Sequence, residues 1–247
     1  MLKPITFRSL IGMDTVLCLS GQPVCASTYY LPMNVGDSIR LAIDSYDHGE
    51  LEAAMLHACN AVDGTADKVY PELKTKVGKR FTNLIRRNHQ IIGLMTLPGV
   101  NVEEMRWPVH IESTLGKGEW PDTADLIYVI HRCHHGHGAE LPEGFALAAE
   151  RMGPTSHLYV EDGAVRLPWN VIFGLIAIAV FEPVNVGQRV RDDQYLTWGD
   201  PEIRFEINDW WGRKDDFVAQ LMTQPRPSVT LDFGQWMQGV PQLPSRK

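Results

Sequence analysis

Leu51-Glu52-Ala53-Ala54-Met55-Leu56-His57-Ala58-Cys59-Asn60-Ala61-Val62 is the stretch that decides the fold class. Leu51, Ala54, Met55, Ala58, Cys59 and Val62 recur at steps of three and four, the spacing of one face of a helix, while Glu52 and His57 fall off that face. A strand would alternate every second residue instead. Just upstream, Ile39, Ala42, Ile43 and Tyr46 repeat the pattern behind Asp37, which reads as a cap. Between the two stripes, Asp47-His48-Gly49-Glu50 has the spacing of a capping box and predicts a fresh helix start, with Asp63-Gly64 near that helix's end. Asp44, Asp47 and Glu50 form a carboxylate cluster, and capping accounts for the last two.

Downstream, a third helix is expected over residues 74–96. Phe81, Leu84, Ile85, Ile92 and Met95 make its apolar face, and Lys79, Arg80, Arg86, Arg87 and His89 load the rest with positive charge, behind Lys74 and Lys76. Pro98-Gly99 stops it. Residues 99–122 read as a loop, with Pro108, Gly116, Gly118 and Pro121. Asp122-Thr123-Ala124-Asp125 suits a helix N-terminus. Leu126, Ile127, Ile130 and Cys133 form the core face of a fourth helix that Gly136 and Gly138 terminate. Phe145 to Met152 adds a short helix.

The flanks have a different texture. Residues 1–36 read as an N-terminal extension or β-hairpin, with short strands at Thr15–Leu19 and Ser27–Leu31. Residues 151–247 begin with a small hairpin around Asp162-Gly163. Pro168 then opens an apolar helix, Trp169 to Phe181, which Pro183 closes and whose all-round hydrophobicity predicts burial. Ile203, Phe205 and Ile207 alternate as a strand does, Asp215 to Met222 is helical, and the tail with Pro225, Pro227, Pro241 and Pro244 is irregular. The expected fold class is mainly α: a helical bundle over residues 37–150, with minor β hairpins at the N-terminus and in the C-terminal part, packed as one unit.

Composition narrows the function. The chain has 247 residues, 44% apolar and 21% charged, so it can bury a core and is not a disordered polymer. Its net charge of −7 argues against a surface coated for duplex DNA but leaves room for a local basic stripe. Cys18, Cys25, Cys59 and Cys133 show no CxxC pairing and fit a reducing compartment. The N-terminus lacks a secretory profile, and the longest apolar run, Val171 to Phe181, falls well short of the roughly 20 residues a membrane span needs. A cytoplasmic location is expected. Nucleotide-binding signatures of the Walker and Gly-x-Gly-x-x-Gly kind, and the Gly-x-Ser-x-Gly elbow, do not occur.

The chemistry concentrates in Tyr128-Val129-Ile130-His131-Arg132-Cys133-His134-His135-Gly136-His137-Gly138, where four of the nine histidines fall within seven positions at an expected helix end. Arg132 and His137 stand in an Arg-x4-His spacing, and with the helical order before it this resembles the HEPN superfamily, helical-bundle domains of prokaryotic defence and toxin systems and of RNA-processing nucleases. The resemblance covers at most residues 37–150. The position after the arginine, often polar in that family, is Cys133 here. What it implies is a metal-independent endoribonuclease, in a defence or toxin setting, that acts as a homodimer with the two motifs facing each other.

RNA carries its own nucleophile, the 2′-hydroxyl, so such cleavage needs neither a metal nor another cofactor. His137 suits general acid or base work, and Arg132 suits a phosphate clamp, with His134 or His135 assisting. Lys79, Arg80, Arg86 and Arg87 would guide the RNA. In an unbroken helix five residues turn a side chain by about 140°, so convergence of Arg132 and His137 requires a break near Gly136 or a second subunit.

Two other readings stay open. His131 and His135, four apart, with His137 or Cys133 added, suit a metal site, although no Glu follows His131 as a zincin pattern requires. A non-catalytic binding or regulatory module would use the same His/Arg surface to hold a partner, and the C-terminal part offers a surface for a protein. The basic run also fits a solvated helix face. Trp210, Trp211 and Trp236 suit packing better than base stacking, and Cys59 and Cys133 suit the core better than nucleophilic roles.

Overall fold

In a computed structural model of the chain, which describes residues 33–97, 99–148, 158–161, 163–198 and 202–223, two helices open the structure: α1 (Val35–Asp47) and α2 (Leu51–Val69). The strands expected at Thr15–Leu19 and Ser27–Leu31, the far half of the Phe145–Met152 helix and the proline-bearing tail lie outside the described residues. The near half of that helix, Phe145 to Ala148, is not helical, and Ala148 instead makes an isolated bridge to Pro168.

The caps differ from the expected ones. Asn34, not Asp37, caps α1. Its side chain accepts from the Asp37 N–H at 3.0 Å while the Asp37 carboxylate accepts from the Asn34 N–H at 3.1 Å. Asp47-His48-Gly49-Glu50 ends α1 and does not begin α2 as a capping box. The Gly49 N–H donates to the Tyr46 carbonyl and the Glu50 N–H to the Ser45 carbonyl, both at 2.9 Å, with Gly49 at φ +81°. That is a Schellman stop, which the glycine's freedom at positive φ makes cheap. Glu50 then stands at the start of α2 with no side-chain cap bond. Helix α2 also runs past Asp63-Gly64. A Cβ on Gly64 would lie 3.2 Å from Val35, so this glycine lets α1 approach and does not terminate the helix.

The third helix is two: α3 (Val77–Arg87) and α4 (His89–Thr96). Asn88 breaks it. Its amide donates to the Leu84 carbonyl at 2.8 Å and to buried Glu182 at 2.9 Å, trading helix continuity for a tie to a distant segment. The irregular stretch from residue 99 to 122 is pinned by buried Trp107, whose N–H donates to the Pro121 carbonyl and whose indole donates to Thr123. Asp122 then caps α5 (Thr123–Leu126) in a reciprocal box with Asp125. The helix continues as a π-helical stretch (Ile127–Cys133) and ends in the short α6 (His134–Gly136).

In the C-terminal part, β1 (Tyr159–Glu161) and β2 (Ala164–Arg166) pair antiparallel, with Val160 opposite Val165, as the Asp-Gly turn predicted. Helix α7 (Val171–Phe181) is buried at nearly every position and packs on α1, α2 and α4, as its all-round apolar character requires. Small residues of α2, among them Ala54, Ala58 and Ala61, are fully buried. Asn185, just after α7, donates to Thr65 at 2.8 Å and accepts from Lys68 at 2.9 Å, tying the end of α7 to α2. Strands β3 (Tyr195–Trp198) and β4 (Ile203–Glu206) form a second antiparallel pair, and α8 (Ile207–Trp210) and α9 (Lys214–Thr223) follow. Ile207 begins a helix and does not extend the strand.

Phe217 stacks on Phe181 at 3.6 Å between ring centroids, and Phe205 and Trp210 meet them edge-on. Trp210 and the buried Trp211 are therefore packing residues; Trp236 lies outside the described residues. Among the described residues the protein is mainly α with two small antiparallel two-stranded sheets. Among the described residues no helix is long and apolar enough to cross a membrane.

Candidate functional site

The His-rich helix end is anchored by a carboxylate. Asp63, in the middle of α2, accepts from Arg132 Nη2 at 2.8 Å through Oδ2, and from Arg80 Nε and Nη2 at 3.3 and 3.1 Å through Oδ1. Arg80 also donates to Asp67, one turn further along α2, at 2.7 Å. Two guanidinium groups thus meet two carboxylates at a three-helix junction, and the local charge cancels. Burial works against the Arg132 charge, but the hydrogen bond and charge of Asp63 outweigh it and hold its pKa above the ordinary arginine value. Tyr128, one turn earlier, packs where a Cβ on Gly78 would come within 2.7 Å of its ring, so only glycine fits in α3 at that point. Burial and the neighbouring Cys133 push the Tyr128 hydroxyl up.

The π-helical stretch inserts extra backbone before the end of the helix, a deviation found often at functional sites. The end itself is a Schellman stop: the Gly138 N–H donates to the His135 carbonyl and the Ala139 N–H to the His134 carbonyl, with Gly138 at φ +64°. The Arg132 guanidinium folds along this end, its Nη1 lying 3.6 Å from where a Cβ on Gly136 would stand. His137 follows directly, exposed at the C-cap. Its ring makes no hydrogen bond among the described residues.

The remaining histidines meet other partners. His134 Nδ1 contacts the Glu140 carbonyl at 3.0 Å. His135 feels the charge of Glu52 near the start of α2 and stacks on His131 with ring centroids 5.8 Å apart. His131 is fully buried, and among the described residues neither of its ring nitrogens nor the buried Nε2 of His135 has a hydrogen-bond partner. Burial, reinforced by His135 and His134, drives the His131 pKa down to about 3, so the ring is neutral at any physiological pH.

Of the expected catalytic set, the fold therefore brings Arg132 and the segment carrying His137 together, and directs His134 and His135 elsewhere. The metal alternative of His131, His135 and His137 is not assembled. The first two rings lie face to face, 29° from parallel, so their in-plane lone pairs do not converge, and His137 points out. Among the described residues no group of three or more His, Cys, Asp or Glu side chains is placed to hold a metal ion.

The expected RNA-guiding run is not an open basic stripe. Arg86 grips Asp122 through two bonds of 2.7 and 3.1 Å and reaches buried Asp125 at 2.8 Å. Arg80 is committed to Asp63 and Asp67. Arg87 stands half exposed, 3.6 Å from buried Glu182, and Lys79 is exposed. Cys59, fully buried on α2, has its thiol pKa pushed up by burial, and both described cysteines are free thiols.

Asp63, Asp67 and Asp125 are the site residues that sequence reasoning missed. The signal was present in part: Asp63 and Asp67 are four apart, on one face, inside a helix. Their partners were not readable, since Arg80 and Arg132 lie 17 and 69 residues from Asp63.

These features define a helical bundle whose His-rich helix end is locked by an Arg–Asp network. The chain belongs to the Rv1289 family, whose model matches residues 34–237. Similar proteins are the uncharacterized protein Rv1289 of Mycobacterium tuberculosis strain H37Rv, MT1327 of strain CDC 1551 and Mb1320 of Mycobacterium bovis. Each is 39% identical over 207 residues, covering 84% of this chain and 97% of the relative. No solved structure matches the chain.

Proposed function

We propose that this protein is a metal-independent endoribonuclease of HEPN type, with Arg132 and His137 as its catalytic pair. The observation that carries the reading is the placement of the Arg132 guanidinium along Gly136, the residue before His137, which is exposed and whose ring makes no hydrogen bond among the described residues. Asp63 fixes one edge of the guanidinium, and its remaining N–H groups make no hydrogen bond among the described residues.

The chemistry suits that arrangement. His137 takes the proton from a ribose 2′-hydroxyl, the oxygen attacks the adjacent phosphorus, and the 5′-oxygen leaves to give a 2′,3′-cyclic phosphate. Arg132 holds the charge that develops on the phosphorane oxygens. Protonation of the leaving oxygen needs a second acid, and a homodimer with facing helix ends would supply the partner's copy of the same histidine. With Arg80 and Arg86 engaged internally, Lys79 and Arg87 are the residues of the basic run left to guide an RNA backbone.

A second reading, a non-catalytic binding module, is favoured by Asp63 and Asp67, which neutralise both guanidiniums at the junction. Cleavage of end-labelled single-stranded RNA in excess chelator separates the two. A nuclease cleaves as wild type and loses about 100-fold or more in His137→Ala, the usual scale for general acid–base catalysis. Helical content should be unchanged in that variant. RNA retained on a filter but not cut by wild type selects the binding module. RNA neither cut nor retained defeats both.

A further inference from the structure

We infer that the cleft between α4 and the loop that follows it is a binding site for an amino-bearing heteroaromatic ring of nucleobase size. The inference does not rest on RNA cleavage at Arg132 and His137.

The cleft has a volume of about 510 Å³ and is lined by His89, Gly93 and Leu94 from α4 and by Val100, Val102 and Glu103 from the loop, with Met222 at its edge. That size falls within the roughly 300–1,000 Å³ of small-molecule sites. Gly93 is the first indication that the space is kept open. It sits inside a helix, where glycine costs about 1 kcal/mol against alanine. A Cβ there would meet Val102 Cγ2 at 3.5 Å and the Val100 carbonyl at 3.7 Å, both ordinary contacts. Packing does not demand glycine here, as it does at Gly78 or Gly174, where a Cβ would come within 2.7 Å of a neighbour. Its bare Cα leaves the floor of the cleft to backbone alone, opposite Val100 and Val102.

His89 is the second indication. Its ring forms no hydrogen bond among the described residues, and its Nε2 is buried without a partner. Burial lowers its pKa, so the ring is neutral and offers one donor and one acceptor. Glu103 is the charged residue of the lining, and the lining holds no Lys or Arg. Within the lining an anion meets only the Glu103 carboxylate, which exocyclic N–H donors find as an acceptor, while Arg86 and Arg106 act on His89 from outside the lining. Leu94, Val100 and Val102 supply the apolar walls that a flat ring needs, and the Met222 thioether supplies a polarisable edge. The ring comes either from a free nucleoside or from an unpaired base of a strand.

Equilibrium dialysis of the full chain against labelled adenosine and cytidine, with inosine and uridine as comparators lacking the amino group, tests this. Adenosine and cytidine should bind at least tenfold more tightly than inosine and uridine. Glu103→Leu, at an exposed position, and Gly93→Leu, which fills the floor, should each weaken binding at least tenfold without lowering the melting temperature enough to unfold the protein. Competition by a short oligoadenylate that Glu103→Leu abolishes identifies a strand as the source, and adenosine binding without such competition identifies the free nucleoside. No binding of adenosine or cytidine at millimolar concentration overturns the proposal. So does binding that Glu103→Leu leaves unchanged.

Discussion

Asp63 holds Arg132 with one carboxylate oxygen, at 2.8 Å, and Arg80 with the other, so a single side chain of α2 joins α3 to the His-rich helix end. All three groups are largely buried, with side-chain exposures of 17, 24 and 11% for Asp63, Arg132 and Arg80. Removing the shared acceptor strands two cations, and breaking a buried pair costs about 3–5 kcal/mol, less where solvent reaches in. Asp63→Ala should therefore destabilise by about 2–3 kcal/mol in urea unfolding, more than Arg132→Ala does. The double variant Asp63→Ala/Arg132→Ala should show a coupling of about 1 kcal/mol or more, within the range for directly bonded residues. Strict additivity would mean that the 2.8 Å contact contributes nothing to stability.

His131 should be a stability defect that grows in acid. Both of its ring nitrogens are buried without partners, and such unsatisfied groups cost about 1–3 kcal/mol each in mutational data. His131→Leu, of similar volume, should raise the melting temperature at pH 7. The folded pKa of about 3 lies below the unfolded value near 6.5, so between those limits the unfolded chain binds the extra proton. Wild type then loses stability as pH falls from about 6.5 towards 3, by at most about 1.4 kcal/mol per pH unit from this group, and the leucine variant does not. The melting-temperature gap between the two should widen from pH 7 to pH 5. A constant gap would show that His131 takes up its proton alike in the folded and unfolded chains.

What the sequence made legible, and what it hid, follows from the range of the interactions. The apolar stripe of α2, the buried α7 and the pairing of β1 with β2 are set by residues within a few positions of one another, and each stands where its pattern places it. Gly49 and Gly64 could not be told apart by pattern, since one ends a helix at positive φ and the other admits Val35 in mid-helix. The break at Asn88 depends on Glu182, 94 residues away. At the site, the cluster of Arg132 and His137 was visible as composition. The parting of His134 from the stacked pair His131 and His135 was not, because a π-helical turn shifts the facing of every residue after it. Nor could the basic run be seen to be spent, since Asp122 and Asp125 reach Arg86 across 36 and 39 residues.

Arg86→Lys should cost nearly as much as Arg86→Ala. The guanidinium uses its forked geometry fully, with two bonds to Asp122, one to Asp125 and one to Thr82 at 3.1 Å. A lysine ammonium is a single point charge that cannot span those acceptors. About 2–4 kcal/mol of stability should be lost, measured by denaturant unfolding. Burial alone would raise the Asp122 pKa, but Arg86 outweighs it and holds it below the ordinary carboxylate value. A carboxylate depressed on folding contributes stability above its unfolded pKa of about 4 and loses it as pH falls below that. The deficit of Arg86→Lys should accordingly shrink on acidification below pH 4. A full rescue by lysine would show that charge alone, without the fork, holds the loop to α3.

Gly93 and Gly174 should respond in opposite directions to the same added methyl group. Both lie inside helices, where alanine is favoured over glycine by about 1 kcal/mol. At Gly174 in α7 a Cβ would come within 2.7 Å of Thr96 Cγ2 and 3.2 Å of Ile92 Cδ1, at the tight crossing with α4. Overpacking of this kind costs about 1–3 kcal/mol, which exceeds the propensity gain, so Gly174→Ala should lower the melting temperature. At Gly93 the nearest atom would be 3.5 Å away, so Gly93→Ala should be neutral or stabilising by up to about 1 kcal/mol. Thermal unfolding of the two variants side by side measures both. If Gly93→Ala proves as damaging as Gly174→Ala, glycine at position 93 serves packing, and the open floor of the α4 cleft loses its significance.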